Sequence, residues 1–232
     1  MTRWSAHTVR CIARWALLLV LGLGWAGSAP AEAPQPADAP VHFERLDGLS
    51  HNTVFAVLQD QHGFLWIGTA DGLNRYDGYD VTVYRHLPGD STSLVDNTVQ
   101  ALAEAPNGDL WVGTASGLDR LDRSTGRFVH YDLMPDATDP PKNIAQVVRD
   151  GAGRLWVRTY LDGHLYRYDR AAGAFERFEG GWQPGSVAMM EIGPEGQIWV
   201  VGAAPLGGSA PSMLYRFDAA QYRFHPLVEL RG

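Results

Sequence analysis

Histidines and the lone cysteine are the side chains of this 232-residue chain with the most versatile chemistry, and their spacing decides whether they can act together. The histidines are His7, His42, His51, His62, His86, His130, His164 and His225. Metal ligation would need them paired, or grouped with carboxylates, at a spacing that one element can converge on an ion. No His-x-His, HExxH or His/carboxylate cluster occurs. His62 and His164 fall in turns, where solvation is the expectation. Acyl or phosphoryl chemistry would call for a GxSxG elbow, a phosphate loop or GxGxxG, and none is present. Asp- and Asn-rich turns could hold calcium, but they lack EF-type spacing. Cys11 is the only thiol, so no disulfide or cysteine metal site can form within one chain. The expectation is no catalytic residue, no metal and no cofactor.

What recurs instead is a charged pair. Leu-x-Arg-apolar-Asp occurs four times, with Arg75 and Asp77, Arg120 and Asp122, Arg167 and Asp169, and Arg216 and Asp218. Each copy follows a tryptophan in the same setting: Trp66 in GFLWIGT, Trp111 in GDLWVGT, Trp156 in GRLWVRT and Trp199 in GQIWVVG. An active site needs a residue once, so fourfold repetition assigns these side chains to structure. The tryptophans are expected half-buried on one blade face, packed against the next blade. The Arg and Asp are expected to bond to backbone, or to each other across a turn.

The elements that position them are strands. The tryptophans are spaced 45, 45 and 43 residues apart, and Leu49-x-x-Asn52-Thr53-Val54 returns as Leu94-x-x-Asn97-Thr98-Val99. In each unit a short apolar run ends in a glycine-terminated turn: Asp60 to Gly63, Pro106 to Gly108, Gly151 to Gly153, Pro194 to Gly196. Such turns favour positive φ at the glycine. The Trp strand, the Leu-x-Arg strand and a last aromatic strand follow. Four antiparallel strands in about 45 residues make one propeller blade. The reading is all-β: about four blades, near 47–93, 94–141, 142–186 and 187–232, in an incomplete ring. Residues 42–46 resemble an outermost strand that would close a ring.

The N-terminus reads separately. Arg3, Arg10 and Arg14 precede an uncharged apolar run, Trp15 to Trp25, and an Ala29-Pro30-Ala31 cleavage site. This order describes a signal peptide over 1–31 and export to the periplasm; 32–41 is a Pro/Ala linker. Cleavage would leave 16 bases against 26 acids. Such a surface repels nucleic acid and anionic lipid, which removes those partners from consideration.

The pattern from Asp60 to Asp77 closely resembles the two-component regulator propeller repeat. The second copy departs near its start, the third has Arg158 for the second glycine, and the fourth has Val201-Gly202 and an insertion over 203–212. The resemblance implies a sensor with an extracytoplasmic ligand, a glycan or a peptide. It also implies a histidine kinase or diguanylate cyclase output, with further blades and a membrane span, all beyond Gly232; the chain reads as a fragment. Irregular connections at Tyr160 to Gly163 and over 203–211 break the repeat, and Tyr160 is the candidate to stack on a ligand. A propeller enzyme of the streptogramin-lyase type is the alternative.

Overall fold

Alternating apolar residues bounded by glycine turns favour short antiparallel strands, and sixteen are present among the described residues of the computed structural model. The structure describes residues 47–133, 143–160, 163–178, 187–202, 212–219 and 221–230, all within the unit Arg45–Gly232. The expected signal peptide, linker and closing strand at 42–46 lie outside these residues, as does the 203–211 insertion.

The strands form four sheets, each a meander in sequence order. Blade 1 comprises β1 (Val54–Gln59), β2 (Leu65–Thr69), β3 (Gly72–Tyr76) and β4 (Val81–Tyr84). Blade 2 comprises β5 (Val99–Glu104), β6 (Leu110–Thr114), β7 (Leu118–Asp122) and β8 (Arg127–Tyr131). Blade 3 has β9 (Ile144–Arg149), β10 (Leu155–Thr159), β11 (Leu165–Asp169) and β12 (Ala174–Phe178). Blade 4 has β13 (Val187–Ile192), β14 (Ile198–Gly202), β15 (Ser212–Asp218) and β16 (Arg223–Leu230). The architecture is the expected all-β set of propeller blades. Gly63, Gly108, Gly153 and Gly196 each take positive φ at the first turn, as the sequence predicts.

The first strands of successive blades lie side by side. Each carries a bulge just after its first residue, at Val54/Ala56, Val99/Ala101, Ile144/Gln146 and Val187/Met189. A bulge at one repeated place increases local twist in every blade. Because each sheet is a meander, its first and third turns share one rim, here called lower. The second connection, which includes Tyr160, lies on the upper rim.

The core is divided among the joints between blades. Trp66 and Leu73 of blade 1 pack with Val99, Leu110, Leu121 and Phe128 of blade 2. Trp111 and Leu118 meet Ile144, Val157, Tyr166 and Phe175 of blade 3. Trp156 and Leu165 meet Met190, Val200, Phe217 and Phe224 of blade 4.

The joints differ in how closely the backbones approach. A Cβ on Gly68 would stand 2.7 Å from Val99 Cγ1 and 2.8 Å from its carbonyl oxygen. A Cβ on Gly113 would stand 2.6 Å from Ile144 Cγ2. These glycines admit the next blade's first residue. Their partners across the pair of strands are Ala56 and Ala101. Blade 3 has Arg158 opposite Gln146 at the same register. Arg158 Nε donates to Gln146 Oε1 at 2.8 Å, and burial pulls the guanidinium pKa below its usual value. The Gln146 amide also donates to the Met190 carbonyl at 2.9 Å and accepts from the Met190 N–H at 3.0 Å. Two larger polar side chains therefore stand in blade 3 where blades 1 and 2 have glycine and alanine.

Candidate ligand cleft

The repeated tryptophans are buried more completely than the sequence suggests. Trp66, Trp111 and Trp156 are at most 4% exposed; Trp199 is intermediate. Each of the first three sits between its own blade's last strand and the third and fourth strands of the next. Trp111 has Tyr131 at 4.7 Å, and Tyr168 and Phe175 of blade 3 at 5.3 and 5.8 Å between ring centroids. Trp156 likewise meets Phe178 of its own blade and Phe217 and Phe224 of blade 4.

The repeated aspartates cap turns. Asp77 Oδ1 accepts the Tyr79 and Asp80 N–H groups at 2.9 and 2.8 Å, and Asp122 Oδ1 accepts those of Ser124 and Thr125. Asp169 holds Ala171 and Ala172, and Asp218 holds Gln221. Backbone bonding, one of the two expectations, is thus what these aspartates do. Backbone hydrogen bonds from Asp80 and Tyr79 hold the Asp77 carboxyl below the usual carboxylate range.

Three of the repeated arginines lie over aromatic rings. The Arg75 guanidinium is 5.1 Å from the Phe64 centroid, Arg120 is 5.6 Å from Tyr131, and Arg167 is 4.5 Å from Tyr222 of blade 4. Stacking of this kind holds the guanidinium in place. Arg167 also pairs with Glu176 at 2.5 Å, and Arg120 is 3.8 Å from Asp109. Arg216 is exposed on β15.

Two acids that sequence reasoning passed over have a larger part. Asp60 and Asp150 begin the first turns of blades 1 and 3 and are about 5% exposed. Each Oδ1 accepts two backbone N–H groups, and each Oδ2 accepts a tryptophan indole N–H, Trp66 at 2.7 Å and Trp156 at 2.9 Å. Blades 2 and 4 have Ala105 and Gly193 there. A search for sameness between copies does not find a residue present in only two of them.

Where Asp60 is replaced by Ala105, a cleft of about 430 Å³ opens on the lower rim between blades 2 and 3. Trp111 and Tyr168 line it together with five arginines, Arg120, Arg149, Arg154, Arg167 and Arg170. Asp169 is the one carboxylate in the lining. Arg154 Nε is held by Asp150 Oδ2 at 2.6 Å. Arg149, Arg154 and Arg170 come from three different turns or strand ends, so no local motif announces them.

Tyr160 is 62% exposed on the upper rim and takes no part in this cleft. His62 is exposed, as expected, whereas His164 is half-buried with its ring 6.4 Å from Tyr166. The sequence shows no His/carboxylate cluster, but strand pairing makes one pair. Asp119 and His130 are opposite each other on β7 and β8, with Oδ1 2.7 Å from Nδ1. Burial pushes the Asp119 carboxyl up, against hydrogen bonds from His130 and the Val95 N–H. Among the described residues no three His, Cys, Asp or Glu side chains are grouped to hold a metal. Asn74 has the same register as Asp119 in blade 1 and likewise accepts a backbone N–H, from Ser50. The pair is therefore built on a structural position.

The model of the family described as two component regulator propeller matches residues 48–71 and 93–116. Histidine kinase P4 of Formosa agariphila is 50% identical over 52 residues, covering 22% of this chain and 4% of that protein. A catalytically inactive virginiamycin B lyase from Staphylococcus aureus, solved with quinupristin, superposes with a TM-score of 0.60. Its identity is 17%, over 79% of this chain and 59% of that one. The extracellular domain of a hybrid two-component system from B. thetaiotaomicron matches at 21% identity and a TM-score of 0.48. That match covers 76% of this chain and 30% of the other. This chain therefore spans a small part of the curated relative and less than two thirds of either structure. At 17% identity the lyase structure bears on the fold alone.

Proposed function

We propose that the chain is the ligand-recognising propeller of an exported signalling receptor; the match of residues 48–71 and 93–116 to the two component regulator propeller model supports this reading. One observation carries this reading: around a solvent-open cleft, the repeat residues Trp111, Arg120 and Arg167 are joined by arginines that depart from the repeat, Arg149, Arg154 and Arg170. Trp66 and Trp156 are in joint cores and the aspartates cap turns, whereas Trp111 is both core of its joint and wall of the cleft. A cleft of about 430 Å³ falls within the range of roughly 300–1,000 Å³ usual for small-molecule sites.

In this reading the signal peptide over 1–31 delivers the propeller to the periplasm. A histidine kinase or diguanylate cyclase, with further blades and a membrane span, belongs to the whole receptor. No helix among the described residues is long and apolar enough to cross a membrane. The segment itself binds and does not catalyse.

The lyase neighbours share the fold, and a shared fold does not transfer a reaction. Thermal shift of the purified chain against small extracellular metabolites and neutral and charged saccharides tests the receptor reading. A cognate ligand at a hundred times its Kd adds about 2.7 kcal/mol of stability, a shift of several degrees. Opening of the quinupristin ring by the same preparation would instead make the chain an enzyme.

A further inference from the structure

The joint between blades 2 and 3 reverses the charge of the joint before it. On the lower rim between blades 1 and 2, three acids surround Arg123. Asp60 Oδ2 is 2.6 Å and Glu104 Oε1 3.8 Å from its Nη1, and Asp109 Oδ1 accepts its backbone N–H at 3.2 Å. Aligning the copies puts Ala105, Arg149 and Arg154 one blade later at the positions of Asp60, Glu104 and Asp109. Arg170 occupies the position of Arg123. Three acids around one base become one alanine and three bases.

Those three join the stacked arginines Arg120 and Arg167 around the cleft. Arg154 is held by Asp150, Arg167 by Glu176, and Arg120 lies 3.8 Å from Asp109. Arg149 and Arg170 have no partner among the described residues. Asp169, the lining carboxylate, already caps the turn at Ala171 and Ala172. In a chain with 26 acids and 19 bases this concentration of guanidinium groups opposes the overall charge. Like charges gathered around low-dielectric walls attract a counter-charge and focus it into the cleft. Guanidinium forks match the oxygens of carboxylate, sulfate and phosphate. Tyr168 and Trp111 add apolar wall for the body of such a ligand.

We propose that the cleft between blades 2 and 3 binds a small ligand carrying two or more acid groups, with Arg149 and Arg170 as its unpaired receptors. The proposal rests on the receptor reading and adds the ligand's chemical class.

The test is calorimetric titration of the purified chain with citrate, pyrophosphate and sodium sulfate, with cellobiose as an uncharged comparator, at low and physiological salt. The variants are Arg149→Gln with Arg170→Gln, and Arg127→Gln as a surface control outside the cleft. Both cleft arginines are exposed, so the double variant should melt like the parent. Citrate or pyrophosphate should bind, the first identifying a carboxylate ligand and the second a phosphate. The double variant should lose affinity by about tenfold or more, as expected for two charge-assisted contacts. The control should bind as the parent does. Absence of binding by all three anions overturns the proposal, and so does binding that the double variant leaves unchanged, which would mark an adventitious ion only. Cellobiose or another neutral compound binding where the acids fail would refute the anionic cleft and leave the receptor reading standing. Turnover of quinupristin would remove the receptor reading itself.

Discussion

Asp60 and Arg123 are 63 residues apart in the chain and meet at 2.6 Å across the first joint. The same carboxylate oxygen takes the indole N–H of Trp66 at 2.7 Å. One buried acid thus ties its own blade's tryptophan to the neighbour's last turn. Asp60→Ala would strand the indole, two backbone N–H groups and a guanidinium. The expected cost is about 3–5 kcal/mol, the range for breaking a buried charge pair. Asp60→Asn, which keeps a carbonyl oxygen, should cost less. Urea unfolding monitored by tryptophan fluorescence measures both, and equal losses would show that the oxygen geometry is not what matters.

Acid titration should separate Asp60 from Asp119. Burial alone would raise the Asp60 pKa, but hydrogen bonds from Trp66, His62, Arg123 and Phe64 outweigh it and hold the carboxyl below its usual value. Its stabilisation is therefore present above the unfolded value of about 3.9 and is lost as pH falls through the folded value. Asp119 has the opposite sign. Burial raises its folded pKa, so its contribution is full below about 3.9 and is lost as pH rises through the folded value. Asp60→Asn should flatten the acid limb of a stability–pH curve, and Asp119→Asn should remove a loss on its higher-pH side. A curve unchanged by either variant would contradict the assignment.

Emptying a tryptophan site should cost according to burial. Trp111→Ala removes a ring enclosed by Tyr131, Tyr168 and Phe175 and should destabilise by about 3–5 kcal/mol. Trp199→Ala, at an intermediate site, should cost clearly less. Melting temperatures of the two variants decide this, and equal shifts would undermine the account of the joint cores.

Glycine at the joint is tested by adding one carbon. Gly113→Ala would set its Cβ against Ile144 Cγ2 and should cost about 1–3 kcal/mol. Ile144→Ala removes that methyl, so the double variant should lose less than the sum of the two. Gly126, at φ 73° with open space around its Cβ position, should cost only about 1 kcal/mol on change to alanine. Strict additivity at Gly113 and Ile144 would contradict the proposed close approach.

The repeat made the strands, the glycine turns and the interblade tryptophans legible, because each follows from a residue type recurring at one register. Differences between copies were harder to read. Asp60 and Asp150 are in two copies of four, and Arg149, Arg154 and Arg170 are brought together only when the strands of blade 3 fold into one sheet with their ends on the lower rim. Aligning the copies and asking which positions change charge would have singled them out. The Asp119–His130 pair lies eleven residues apart, a spacing with no meaning until β7 and β8 are known to be neighbours. Tyr160 drew notice as a break in the repeat, yet its connection leaves from the rim opposite the arginines.

Gln146 has a consequence for colloidal behaviour. The first strand of each blade is a sheet edge, with N–H and C=O groups available to template a foreign strand. At Met190 both groups are taken by the single Gln146 amide. A side chain here imitates one rung of a missing ladder, blocking β13 where an incoming chain would otherwise begin to pair. Losing that amide would leave the Met190 N–H and carbonyl and the Arg158 guanidinium without these hydrogen bonds, and would unblock the edge of β13 for pairing.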